Sequence, residues 1–311
     1  MVTTSGLWAL TCLFNPAGYA RRMRNYRAFR AHLGVPLVAV ELSFDGRFEL
    51  QAEDADVLVR VSGGDVMWQK ERLLNLGRRH LPAACDAVAV VDADLVFENR
   101  AWPTHARDLL TRVPVAQLFS RSCYMPPQWL PGDGPISALS QQVAVSRAVA
   151  GGVDPHAALG PQDGDGRGAL SAGFAWVFRR ALLDRLGLFD ACIAGGGDTA
   201  LACALWGEYG AVEERHAMTP AQRAHYRVWA EPWFDAVRGN VGYLEGDVWH
   251  LWHGELEDRM SSARHRIVAS HEFDPRTDIT APPDAGWRWA TDKPRLHEFL
   301  RSYFAARRED G

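Results

Sequence analysis

The sequence predicts an α/β fold built on a mostly parallel sheet with helices on its faces. Three observations predict it. Apolar runs of strand length alternate with helical segments through the first 120 residues. One of those runs ends abruptly in two carboxylates, Asp92-Ala-Asp94. The balance of 47% hydrophobic and 23% charged residues over 311 positions is that of a globular chain large enough for a sizeable core.

The elements follow in order. The run 7–13 is a short strand that Asn15-Pro16 breaks. Segment 21–33 carries Met23, Tyr26, Phe29 and Leu33 near helical spacing, and Gly34 stops it. A buried strand is expected over 37–42. An alternating strand is expected over 56–61. Gly63-Gly64-Asp65 turns the chain into a helix over 66–80. Strands at 87–91 and 115–119 complete a β-α-β-β-α-β order. In such sheets ligands sit beyond the carboxyl ends of the strands. Residues 131–168 are poor in structure signals, and 151–168 read as a mobile loop rich in Gly, Asp and Pro. Segment 174–178 is aromatic and apolar, 179–186 a short helix. Gly195-Gly196-Gly197-Asp198 opens a helix through 206, 241–252 contains a strand, and 293–308 is a basic amphipathic helix.

Charge and composition exclude several classes. The 34 basic and 38 acidic side chains give a net charge of −4, so any nucleic-acid contact is local. Lys70 and Lys293 are the two lysines; the remaining basic residues are Arg, which reads as compositional bias. No apolar run approaches a membrane span, and 1–13 lacks the basic start of a signal peptide. Five scattered cysteines form no CxxC pair and suggest neither a disulfide framework nor a thiolate zinc site. These features predict a cytoplasmic protein.

Four constellations are able to carry chemistry. Asp92-x-Asp94, at the end of an apolar strand, presents two carboxylates on one face, and a turn there aims both at one hard cation, Mg²⁺ or Mn²⁺. An isolated match is equally a solvated strand-end turn. His250-x-x-His253 follows a second apolar run, and imidazole ligates Mn²⁺ and Zn²⁺; the alternative packs one His among Trp249 and Trp252. Gly195-Gly196-Gly197 allows close backbone approach to a ligand, and Asp198 at a helix start is a moderate base. Asp is also a favoured N-cap, which alone accounts for it. Lys70 and Arg72, in the helix before the DxD strand, are placed to meet a pyrophosphate, although a solvated helical face explains them equally. A further basic stretch, Arg21, Arg22, Arg24, Arg27 and Arg30, reads as a solvated helix or a phosphate-tracking face.

In this order the pieces resemble a glycosyltransferase of the GT-A fold, with the β-1,4-galactosyltransferase group the closest likeness. The resemblance rests on 65–77 with its Lys-Glu-Arg-Leu-Leu-Asn75, on Val90-Val-Asp92-Ala-Asp94, and on Ala172-Gly173-Phe174. Leu186-Gly-Leu-Phe189-Asp190, Gly195-Gly-Gly-Asp198 and His250-x-x-His253 complete it, across about residues 7–260. It implies a Rossmann-like sheet with a nucleotide-sugar-binding half (1–120), an acceptor-binding and catalytic half (121–256) and a C-terminal helical extension (257–311). It implies Asp94 as direct ligand of Mn²⁺ or Mg²⁺, with Asp92 beside it on donor ribose or sugar, and His253 with His250 completing the metal shell. Asp198 becomes the base of an inverting displacement. Asn15, Glu41, Lys70, Gly173 and Gly196 fall where such folds hold the nucleotide sugar, a UDP-sugar by analogy.

The sequence departs from the group at Gly197, Thr199 and Ala200, where relatives carry more carboxylates, so the acceptor differs from the group's usual one. A bacterial or phage-encoded enzyme fits. Phage-type transferases that glycosylate hydroxymethylated pyrimidines in DNA have similar cores. The Arg/aromatic helix and the many tryptophans, Trp206 and Trp252 among them, suit a flipped base; a saccharide acceptor suits the rest. The competing readings are a nucleotidyltransferase, against which stands the lack of a Gly-rich loop after the first strand, and a non-catalytic sugar- or nucleotide-binding relative.

Overall fold

The computed structural model describes residues 6–133, 137–160, 170–261 and 263–311. In chain order the elements are β1 (Leu7–Phe14), α1 (Ala20–His32), β2 (Leu37–Ser43), β3 (Val57–Ser62), α2 (Lys70–Gly77), β4 (Ala87–Val91) and β5 (Leu95–Phe97). There follow α3 (Trp102–Arg112), β6 (Val115–Gln117), β7 (Arg121–Tyr124), β8 (Ser140–Ala144), α4 (Val145–Ala150), α5 (Pro155–Leu159), β9 (Leu170–Ser171), β10 (Ala175–Arg179) and α6 (Arg180–Leu186). The rest are α7 (Gly197–Trp206), α8 (Tyr209–Arg215), α9 (Pro220–Val237), β11 (Val241–Tyr243), β12 (Asp247–His250), α10 (Ala263–Ser270), β13 (Ile279–Thr280), β14 (Arg288–Trp289) and α11 (Pro294–Ala305).

The main sheet has seven strands in the order β11-β6-β10-β4-β1-β2-β3. All its pairings are parallel except those of β10, which runs antiparallel to both neighbours. Alternation along the strands splits the core in two. Leu10, Val88, Val90, Trp176 and Phe178 face one layer with α6, α7 and α9. Leu7, Ala9, Ala87, Ala89, Val91 and Val177 face the other with α1 and α3. Strands buried on both faces read as continuous apolar runs, which is why β1, β2 and β4 were legible.

The expected mostly parallel α/β sheet is present, with four differences. A second sheet, β5-β12-β7-β8-β9, stands beside the first; its strands are two to five residues long and gave no readable periodicity. The helix expected from 66 starts at Lys70, because the preceding backbone is otherwise engaged: Asp65 N–H donates to Trp287 O and Trp68 N–H to Ile193 O. Region 151–168 holds the helix α5, capped by Asp154, whose side chain accepts from Ala157 N–H; positions 161–168 of that expected loop lie outside the described residues. The segment 257–311, expected to be helical, adds the hairpin pair β13–β14 to its helices. Among the described residues no helix is long and apolar enough to cross a membrane.

Candidate functional site

The carboxyl ends of β1 and β4 open onto a cleft of about 340 Å³. Asp92 and Asp94 sit in the turn between β4 and β5. Asp92 N–H donates to Phe174 O, and Leu251 N–H donates to Asp94 O, so this turn is tied both to the start of β10 and to the end of β12.

The two carboxylates do not converge on one point as the DxD spacing suggested. Asp94 turns toward β12. Its Oδ2 lies 3.1 Å from His253 Nε2 and 3.9 Å from His250 Nε2, and the two imidazole Nε2 atoms are 3.2 Å apart. One ligand atom from each of these three residues falls within 4.8 Å of the others. His250 is packed against the rings of Tyr124 and Phe174, not against tryptophan. Burial pushes its pKa well below the ordinary value although Asp94 opposes, so the ring is neutral and ligand-competent. Burial would raise the Asp94 pKa, but His250 and His253 outweigh it and hold the carboxyl below its usual range. Asp94 Oδ1 is buried with no hydrogen-bond partner. An orphaned carboxylate oxygen beside two imidazoles fits a divalent cation of the Mn²⁺ type, which accepts both nitrogen and oxygen donors.

Asp92 turns the other way. Lys70 Nζ, the first residue of α2, stands 2.6 Å from Asp92 Oδ1 and 2.9 Å from Asp198 Oδ2. Burial disfavours that ammonium, yet Asp198 and Asp92 more than compensate and keep Lys70 protonated. Asp198 lies in the first turn of α7, where Gly196 is the N-cap in a left-handed conformation (φ 95°). Its side chain caps nothing and bonds Lys70 instead. The glycine run follows from crowding. A Cβ at Gly196 would meet His216 Cε1 at 2.5 Å, and one at Gly197 would meet Glu71 Oε1 at 2.2 Å. Glu71 is buried behind Lys70, and burial pushes it up to about 8 against the pull of Lys70. Gly173 closes the other side: a Cβ there would lie 3.5 Å from Asp198 Oδ2.

Of the residues singled out in the sequence, Asp92, Asp94, Asp198, His250, His253, Lys70, Gly173 and Gly196 all line this cleft. Four others do not, and their placement corrects the expectation. Asn15 holds the approach to α1, donating to Tyr19 O and Glu49 and accepting from Tyr19 N–H. Glu41 is buried and accepts the backbone N–H groups of Glu49 and Leu50. Trp206 ends α7 inside the core. Trp252 lies under the Arg21 guanidinium and donates to Glu255.

The cleft also contains residues the sequence did not single out. Arg215, Arg259, Arg264, Arg307 and Glu309 line it, beside Arg22 of the basic stretch. Arg259 is half-buried, its buried Nε has no partner, and its Nη2 stands 3.0 Å from His253 Nε2. Burial, and then Arg307, lower its pKa. Arg-rich composition masked these residues; the one local signal is the six-residue spacing of Arg259 from His253.

No family model matches this chain, and no curated protein does. Solved structures similar to it include a glucosyl-3-phosphoglycerate synthase from M. tuberculosis, 13% identical, covering 95% of this chain and 92% of that one at a TM-score of 0.40. A mannosyltransferase from Pyrobaculum calidifontis, in complex with GDP-Man and Mn²⁺, is 14% identical over 97% of this chain and 73% of its own, at 0.41. A 4-diphosphocytidyl-2C-methyl-D-erythritol synthase from Anaerococcus prevotii is 10% identical over 86% and 98%, at 0.38. Likeness at this level does not choose between their activities, so the functional reading rests on the geometry of the cleft.

Proposed function

We propose that this chain is a metal-dependent glycosyltransferase that moves a sugar from a nucleoside-diphosphate sugar, a UDP-sugar by resemblance, to an acceptor hydroxyl. One observation carries the reading: the Asp94–His250–His253 cluster and the Asp198 carboxylate open onto the same cleft, with Lys70 between them. A cation on that cluster would be Mn²⁺ or Mg²⁺, and it supplies Lewis-acid stabilisation of charge on a leaving diphosphate. Lys70 and the unpartnered edge of Arg259 face the same anion. Asp92 keeps the Lys70 ammonium in place. Asp198 takes the proton of the acceptor hydroxyl as its oxygen bonds the anomeric carbon; the glycosidic C–O bond breaks with its electrons leaving on the diphosphate. This is a displacement with inversion.

The features that suggested a DNA acceptor have structural uses here. Arg22 pairs with Glu309, Arg30 with Asp56, Arg21 covers Trp252, and Trp206 is core. A saccharide hydroxyl is therefore the acceptor we propose.

A thermal-shift panel of UDP-, GDP- and CDP-sugars, each with and without Mn²⁺, tests the donor half. A shift that needs both one nucleotide class and the metal is expected, and a flat panel overturns the reading. Asp198→Ala should then abolish transfer to saccharide acceptors while the donor shift survives. Transfer to hydroxymethylated DNA alone would replace the proposed acceptor, and pyrophosphate release from a nucleoside triphosphate would replace the reaction.

A further inference from the structure

We infer that Glu309 is the positioning residue of the metal centre: it fixes the ring of His253 so that Nε2 is presented to the cation. The inference rests on the metal reading of Asp94, His250 and His253 given above.

A guanidinium donates and has no acceptor. Arg259 Nη2 and Asp94 Oδ2 stand 3.0 and 3.1 Å from His253 Nε2, and a cation shared with Asp94 takes that nitrogen's lone pair, which leaves the ring proton on Nδ1. This is the tautomer a metal ligand at Nε2 requires. Nδ1 is turned toward Glu309 Oε1, 3.7 Å distant. The carboxylate therefore faces the protonated edge of the ring, the arrangement in which an outer carboxylate orients a ligating histidine.

Glu309 is itself held rigidly. It is fully buried. Arg22 Nε and Nη2 donate to its two oxygens at 2.6 and 2.8 Å, and Arg307 Nε donates to Oε1 at 2.5 Å. Arg22 comes from α1 and Arg307 follows α11. Neighbouring bonds dock the same segment independently of the histidine: Asp310 accepts the backbone N–H groups of Ala20 and Arg21, and the Tyr19 hydroxyl donates to Ala305 O. A carboxylate serving only as counter-ion to two guanidiniums has no need of the His253 edge; one that orients the ring does.

The test separates these roles. Mn²⁺ binding, followed by the electron paramagnetic resonance of free Mn²⁺, is measured for the wild-type chain, Glu309→Gln and Asp310→Ala, with circular dichroism and thermal melts alongside. Glu309→Gln is expected to weaken Mn²⁺ by about 10- to 100-fold. Asp310→Ala, which loosens the segment without touching His253, should lower the melting temperature and leave Mn²⁺ affinity within about twofold. Equal affinity in a folded Glu309→Gln overturns the inference and leaves the metal reading standing. Equal losses in both variants also overturn it, because segment docking then explains the effect. A wild-type chain that binds no Mn²⁺, Mg²⁺ or Zn²⁺ overturns both. Should Glu309→Gln fail to fold, nitrogen NMR of histidine-labelled wild-type protein, assigned with His253→Gln, decides. Protonation at Nδ1 is the expected result, and protonation at Nε2 overturns the inference.

Discussion

Lys70 illustrates how one side chain organises the cleft. Its ammonium joins the carboxylate after β4 to the one at the start of α7, so the two halves of the sequence meet through a single charge. Breaking a buried pair leaves the partners uncompensated and costs about 3–5 kcal/mol. Lys70→Met should therefore lower stability as well as donor binding, by an amount read from denaturant melts. Gly197 is as constrained. Any Cβ there runs into the Glu71 carboxylate, so Gly197→Ala should destabilise by about 1–3 kcal/mol, and a variant as stable as wild type would show that Glu71 has another place to go. The residues that meet in the cleft were legible because Asp92, Asp94, Asp198, His250 and His253 each stand in a short pattern at the end of an apolar run or beside glycines. The second tier was not. Glu309 has no local pattern and Arg259 only its six-residue spacing from His253, and their proposed roles depend on partners that the fold brings together. Glu41 and Asn15 were misplaced because strand-end position alone does not say whether a polar side chain serves a ligand or the neighbouring backbone.

At the scale of elements, the junction of α8 and α10 carries a pH dependence. His216 follows α8, His265 lies in α10, and their rings stack 3.9 Å apart with an interplanar angle of 8°. Burial, then Arg215 and Arg264, push His216 down to about 3, and burial and His216 push His265 well below its ordinary value. Both rings are neutral in the fold, whereas an unfolded chain protonates them near pH 6.5. The unfolded state thus binds more protons below pH 6.5, and stability falls as pH drops toward 3 by about 1.4 kcal/mol per unit for each group. His216→Gln should flatten that slope, and an unchanged slope between pH 6.5 and 4 would remove His216 as its source. Element prediction shows the same limits as residue prediction. The 18-residue α9 went unread although Thr219 and Gln222 form a capping box and Pro220 opens the helix; a Pro at 232 obscured its periodicity. Strands β7 and β8 were too short to alternate visibly, whereas the strand expected within 241–252 is present as β11 and β12.

For the molecule as a whole, the proposed metal site draws on three distant stretches: the turn after β4, the end of β12, and the clamp of α1 on residues 307–310. Saturating Mn²⁺ should stabilise the chain by about 2.7 kcal/mol at a hundredfold excess over the dissociation constant. Through Glu309 it should also slow hydrogen exchange at the amides of 307–310, whereas Asp94→Ala should abolish both effects. The α/β class and the mostly parallel sheet were readable because buried parallel strands are apolar throughout. The clamp was not, since nothing near Arg22 announces a partner 287 positions later. That separation has a consequence for biosynthesis. The sheet, Asp94 and both histidines are all translated before Glu309 leaves the ribosome, so a nascent chain can assemble every ligand and still lack the carboxylate that orients one of them. On the proposed metal reading, ligand readiness is set by residues 307–310, and metal loading during synthesis should lag behind the folding of the sheet.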